Sequence, residues 1–308
     1  MRSLLSSVLI TIVLSFAVLA QEDEAPKAAP QKPTPNLANG KYGSLERNVF
    51  DLWTPKTKKA SPLVVYIHGG GFVNGDKDKL SANLLKRLLE NGIAVMAINY
   101  SLMPQHLYPQ AYKDAARAIQ FARSNAKAWN LDKTKVSTMG SSAGGLTSLW
   151  IGFHDDLADP KSQDPVLRES TRLSSMAVWS AQTTLVADIV GPRVGTTTLK
   201  HSFYTGRFFG LKQADMETGK GKQLTRDASP LSNLTKDDPP VWAYYSIADK
   251  PQTDATTVSE AIHHPYFGKV MKEEMDKLKI ECKIRHKDDG KTVNDDVVNF
   301  IIKHFNGK

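Results

Sequence analysis

The sequence predicts an α/β protein built on a doubly wound, mostly parallel sheet. Three observations carry this. Short continuous apolar runs recur at Leu63–Ile67, Ile93–Ile98, Met176–Trp179 and Val241–Tyr245, as in strands buried on both faces. Stretches with helical apolar spacing separate them, the alternation that gives parallel sheets. Glycine-rich turns follow two of the strands directly, at His68-Gly69-Gly70-Gly71 and Gly140-Ser141-Ser142-Ala143-Gly144-Gly145.

At the start of the chain, residues 1–20 read as a signal peptide: Arg2 is the charged start, Leu4 to Leu19 the apolar stretch, and Val18-Leu19-Ala20 the cleavage site. Residues 21–41, rich in Ala, Pro, Lys and Glu, form a disordered linker. The folded domain spans 42–308. Leu45 to Trp53 suits an edge strand. Leucines at 80, 84, 85, 88 and 89 make one helical stripe, closed by Asn91-Gly92. Ala111 to Trp129 is a long helix with Ala115, Ile119, Ala122 and Ala126 on one face. Lys135 to Met139 is a strand, and Leu146 to Phe153 an apolar helix.

Regular alternation stops between about 184 and 228. This segment is too long for a plain connection and reads as a cap insertion, with Phe203, Tyr204, Phe208 and Phe209 as its aromatic patch. His264 to Lys279 is amphipathic. Ile280 to His286 alternates like a half-exposed edge strand. Asn294 caps a last helix whose Val297, Val298, Ile301, Ile302 and Phe305 face inward.

Composition narrows the function. The 308 residues carry 40 Lys and Arg against 32 Asp and Glu, a net charge of +8 spread along the chain. Its basic clusters lack interleaved aromatics, so a nucleic-acid surface is not indicated. One cysteine, Cys282, excludes an intramolecular disulfide. No recognised ligand spacing points to a metal, and no cofactor is implied. Asn233-Leu234-Thr235 matches a glycosylation sequon, relevant only in a eukaryotic host.

Gly140 to Gly144 matches a G-x-S-x-G nucleophile elbow in its required setting of strand, tight turn and helix, with Ser142 central. Gly140 and Gly144 allow the sharp bend and the close helix approach. The glycines after His68 aim backbone N–H groups into a site, so Gly70 and Gly71, with Ala143, form an oxyanion hole. His68 is expected to brace that loop. The two motifs together point to acyl transfer.

At these residues the chain resembles the carboxylesterase group of α/β-hydrolases, BD-FAE-like and hormone-sensitive-lipase-like esterases. The likeness runs from about Leu45 to Phe305. It includes Val65-Tyr66-Ile67-His68-Gly69-Gly70-Gly71-Phe72, Ala97-Ile98-Asn99-Tyr100, the elbow, Ala228-Ser229-Pro230 and Pro239-Pro240-Val241. Serine follows Tyr100 where that group usually has arginine. The resemblance implies an eight-stranded sheet, ester hydrolysis without cofactor, and a triad in the order Ser, Asp, His. Asp249 matches the acid, with Ser246 where glycine is usual and Asp254 as the fallback. The histidine is expected in the loop after the last strand, yet Lys287 to Val293 has none. His286 is the first candidate for the base and the pair His263-His264 the second. The resulting expectation is an exported serine esterase acting on a small-molecule or polysaccharide-linked ester. The alternative is a binding protein of the same fold without a placed histidine.

Overall fold

The computed structural model describes residues 31–253, 255–287 and 293–307. The expected signal peptide, Asp254 and the 288–292 loop lie outside the described residues. Eight strands form one sheet: β1 (Leu37–Lys41), β2 (Val49–Trp53), β3 (Ser61–Ile67), β4 (Ala94–Ile98), β5 (Leu131–Ser141), β6 (Met176–Trp179), β7 (Val241–Tyr245) and β8 (Cys282–His286). Their spatial order is β1-β2-β4-β3-β5-β6-β7-β8. β1 and β2 pair antiparallel, β2 joins β4 antiparallel, and every pairing from β4 to β8 is parallel.

The helices are α1 (Ala82–Glu90), α2 (Gln110–Ser124), α3 (Ala143–Phe153), α4 (Ala187–Thr198), α5 (Gln213–Met216), α6 (Gly219–Asp227), α7 (Val258–Ile262), α8 (Tyr266–Lys277) and α9 (Val293–Phe305). Because successive strand residues point to opposite faces, the sheet feeds two cores. Leu63, Val65, Ile67, Met96 and Ile98 pack with α2, α3 and α8 on one face. Val64, Val95, Ala97, Met139 and Trp242 pack with α1 and α9 on the other. This is the α/β-hydrolase fold.

Several boundaries differ from the sequence reading. β1 begins at Leu37, inside the stretch read as linker. Its residues are almost all exposed, so no apolar pattern announces it, and backbone pairing to β2 holds it. α2 ends at Ser124, before Trp129. α9 already includes Asn294, which therefore does not cap it. The amphipathic stretch read from His264 to Lys279 holds α8, which starts after Pro265 and ends at Lys277, and a separate short helix, α7, ends just before it at Ile262. The segment between β6 and β7 holds α4, α5 and α6, where the insertion was expected. Its aromatic patch is buried: Phe203 and Phe208 are 1% exposed, and Phe208 stacks on Phe72 at 4.9 Å.

Candidate active site

The parallel strands end in register, with Ile67 beside Gly140 and Tyr245 beside His286. Loops after them therefore meet along one edge, where ligands sit in such sheets.

Ser142 stands between β5 and α3 with φ 49° and ψ −118°. A left-handed φ at a residue with a side chain costs about 1–3 kcal/mol and is held by its surroundings. The N–H of Ser142 donates to Trp179 O at 2.8 Å. A Cβ on Gly144 would lie 2.0 Å from Ile67 O, and one on Gly140 would lie 2.6 Å from the Gly144 backbone. Only glycine permits that approach of helix to strand, and the approach aims Ser142 outward.

The loop after β3 is fixed from beneath. Phe72, 1% exposed, anchors it among Tyr100, Tyr112, Phe203 and Phe208. His68 is buried, stacks on Tyr100 at 4.2 Å, and meets Gly69 O through Nδ1 at 2.7 Å. With Arg47 Nη2 3.4 Å from Nε2, the network assigns the Nδ1–H tautomer. Burial pushes its pKa down to about 4, so it is a neutral brace. Gly70 has φ 118° and Gly71 φ 60°. Gly70 O accepts from the N–H groups of Val73 and Asn74. The N–H groups of Gly70 and Gly71 have no intramolecular acceptor among the described residues. Ala143 opens α3, where the N–H has no acceptor within the helix.

Ser142 Oγ lies 2.8 Å from His263 Nε2. His263 closes α7, a one-turn helix fixed by a capping box between Thr257 and Glu260. Gln182 Nε2 donates to Ile262 O at 2.8 Å and ties down its end. Ser259, one turn earlier, puts its Oγ 3.5 Å from His263 Nδ1, and its backbone also bonds the ring. Burial lowers the pKa of His263, against the opposing effect of that backbone bond, so the imidazole is neutral and basic at pH 7.

The first-choice residues fall elsewhere. His286 ends β8, three strands from β5. At the usual strand spacing that is about 14 Å, too far for an imidazole to cross without a loop to carry it. Asp249 is paired with Lys269. The Lys269 hydrogen bond holds its carboxyl below the usual range, aided by the charges of Lys269, His264 and His286. So Asp249 and His286 share one cluster, and Ser142 and His263 share another. The sequence signal for the second was present: Thr257-x-x-Glu260 is a capping box, and Pro265 bars the helix it opens from running on into α8. That marks a separate helix whose i, i+4 pair is Ser259 and His263.

Ser142 and His263 face a cleft of about 510 Å³, also lined by Tyr66, Gly69, Gly70, Gly71, Asn74 and His201. A second cavity of about 710 Å³ adjoins it, sharing Gly71 and His201. His201 comes from the insertion after α4. Burial first, then the charges of His263 and Arg207, push its pKa down to about 4. Among the described residues, no three His, Cys, Asp or Glu side chains are arranged to hold a metal.

The BD-FAE family profile matches residues 50–258, from β2 to the first residue of α7. The chain belongs to the BD-FAE family. It is 25% identical to the esterase LipC of Mycobacterium tuberculosis over 218 residues, covering 68% of this chain and 50% of that one. It is 31% identical to an arylesterase of Saccharolobus solfataricus over 122 residues, 39% of each chain. The chain thus spans half or less of these relatives' lengths. A carbohydrate esterase from gut microbiota superposes with a TM-score of 0.69 at 19% identity, covering 90% of this chain and 99% of that one. An acetyl ester-xyloside bifunctional hydrolase from Caldicellulosiruptor lactoaceticus gives 0.61 at 20%, covering 77% and 76%. At these identities the structural likeness speaks for the fold alone.

Proposed function

We propose that this BD-FAE member is a serine carboxylic-ester hydrolase working through a Ser142–His263 pair. The observation that carries the reading is the 2.8 Å contact between the strained Ser142 and a neutral His263. Ser142 Oγ attacks the acyl carbon and its proton passes to His263 Nε2. The Gly70, Gly71 and Ala143 amides receive the oxyanion, each worth roughly 10²–10³ in rate. Collapse expels the alcohol, which takes the proton from His263. Water, deprotonated by the same ring, then releases the acid and restores Ser142.

Ser259 holds the Nδ1 side of the ring, in place of a carboxylate. Asp249 and His286, matched to the acid and the base by family pattern, are assigned to the neighbouring cluster with His264 and Lys269. The Leu4–Ala20 segment supports export, with cleavage near Ala20. Small esters or esters on polysaccharide would be the substrates.

The test is a fluorophosphonate probe with p-nitrophenyl acetate, beside Ser142→Ala. Labelling and turnover should both vanish in the variant. A wild-type protein that neither labels nor turns over would instead be a binding protein of this fold.

A further inference from the structure

The 710 Å³ cavity beside the cleft has an unusual charge for an apolar pocket. Val73, Met103, Leu107 and Leu211 wall it, and Val73 and Leu107 remain 55% and 38% exposed. Lys200 and Arg207 join that wall, and Lys79 lines the adjoining cleft. No Asp or Glu lines either space. Among the described residues, none of these three cations has a carboxylate within 4.0 Å. Some cations elsewhere are paired, as where Arg172 meets Asp237 and Asp238, so what sets Lys200 and Arg207 apart is their place on an apolar cavity wall.

Arg207 is also placed rigidly. It opens a single turn (Arg207–Phe209) set between left-handed Gly206 and Gly210. The next two residues, Phe208 and Phe209, are buried in the core. A Cβ on Gly206 would lie 2.6 Å from Leu211 O, so only glycine fits this turn. The guanidinium therefore has a fixed base beside the cavity, with a planar fork suited to a carboxylate.

Resting on the esterase reading, we propose that the preferred substrate is an ester with a carboxylate at the far end of an apolar spacer. With its ester carbon at Ser142, one arm must pass Gly71 and His201 into the cavity. The spacer covers the apolar wall, and the carboxylate meets Arg207 and Lys200. His201, neutral at the junction, adds no competing charge there.

Two comparisons test this. Turnover of phenyl acetate is set against 4-acetoxybenzoate, and of diethyl glutarate against monoethyl glutarate. They place the charge on the alcohol and acyl side respectively. Exposed ion pairs are individually weak, so the two cations together should favour one anionic ester over its neutral partner by about five- to tenfold in kcat/KM. High salt should shrink that ratio. Arg207→Gln with Lys200→Gln should bring it to about one, whereas Lys58→Gln, a charge removed far from the site, should not change it. Wild type favouring the neutral ester of both pairs would overturn the proposal. Binding provides the catalysis-independent arm, read by calorimetry on Ser142→Ala. Monoethyl glutarate should bind more tightly than diethyl glutarate. Equal or weaker binding overturns the proposal even if the esterase reading stands. Tighter binding without any wild-type turnover retains the anion site and removes the esterase reading.

Discussion

Replacing His263 by alanine tests the site most directly. Ser142 keeps its backbone conformation, because β5, α3 and the two glycines set it. The amides of Gly70, Gly71 and Ala143 also stay, since His263 lies apart from them, at the C-cap of α7. What is lost is the proton acceptor 2.8 Å from Ser142 Oγ. General base catalysis supplies about 10²–10⁴, or roughly 3–5.5 kcal/mol of barrier. So kcat on p-nitrophenyl acetate should fall by that factor, with the melting temperature nearly unchanged because the ring borders an open cleft. His286→Ala, three strands away, should stay within about threefold of wild type, the scale of a rate effect worth well under 1 kcal/mol. The pH profile adds a sign. The ring must be neutral to act, so kcat/KM rises with pH as His263 deprotonates. Burial lowers its pKa, so the half-maximum should fall below the ordinary 6.5. A His263→Ala enzyme retaining more than about a tenth of wild-type kcat would refute the assignment. So would a large loss in His286→Ala, or a half-maximum above about 7.

Three further outcomes rest on the same geometry. Asp249→Asn should change kcat/KM by less than about threefold; an acid orienting the base would instead cost on the order of 10⁴. Gly70→Ala puts a Cβ 2.1 Å from Asn74 O at φ 118°, so it should lower the melting temperature and cut kcat by at least about 10² where soluble protein survives. His68 titrates near 4 when folded against about 6.5 unfolded, so below pH 6.5 the unfolded chain binds a proton that the folded one refuses. His201, also pushed to about 4, acts with the same sign, so denaturant melts should lose about 3 kcal/mol between pH 6.5 and 5 from the two rings, above the range where the lowered carboxylates act; a flat profile there contradicts the buried neutral rings.

Most of the sheet was legible because its central strands are buried on both faces. Leu63 to Ile67 or Met176 to Trp179 have little alternative to a parallel sheet once helical stripes separate them. The elbow and the glycine loop were legible for a steric reason: their glycines meet backbone atoms where any Cβ would collide. β1 was not, since Leu37 to Lys41 contributes hydrogen bonds and almost no burial. The proposed base, His263, is not the histidine that the pattern puts first. The rule that the histidine follows the last strand depends on a loop long enough to cross to β5. His286 is the last residue of β8 itself. α7 escaped notice because five residues have no room for an apolar period; only its capping box and Pro265 mark it.

The position of His263 changes what the site requires of the fold. In the expected arrangement, acid and base ride on two loops, after β7 and after β8, and the sheet must hold both in register. In the proposed arrangement the base and its neighbour are four residues apart, Ser259 inside α7 and His263 at its C-cap, so one short helix places both. Ser259 and His263 need only that α7 form and dock. Its capping box and the Gln182 bond to Ile262 O supply both, with Ala261 and Ile262 buried beneath. Asp249 is paired with Lys269 instead. On this proposal, the precision that a triad gains from a buried carboxylate comes from one short, capped helix whose end lies 2.8 Å from Ser142 Oγ.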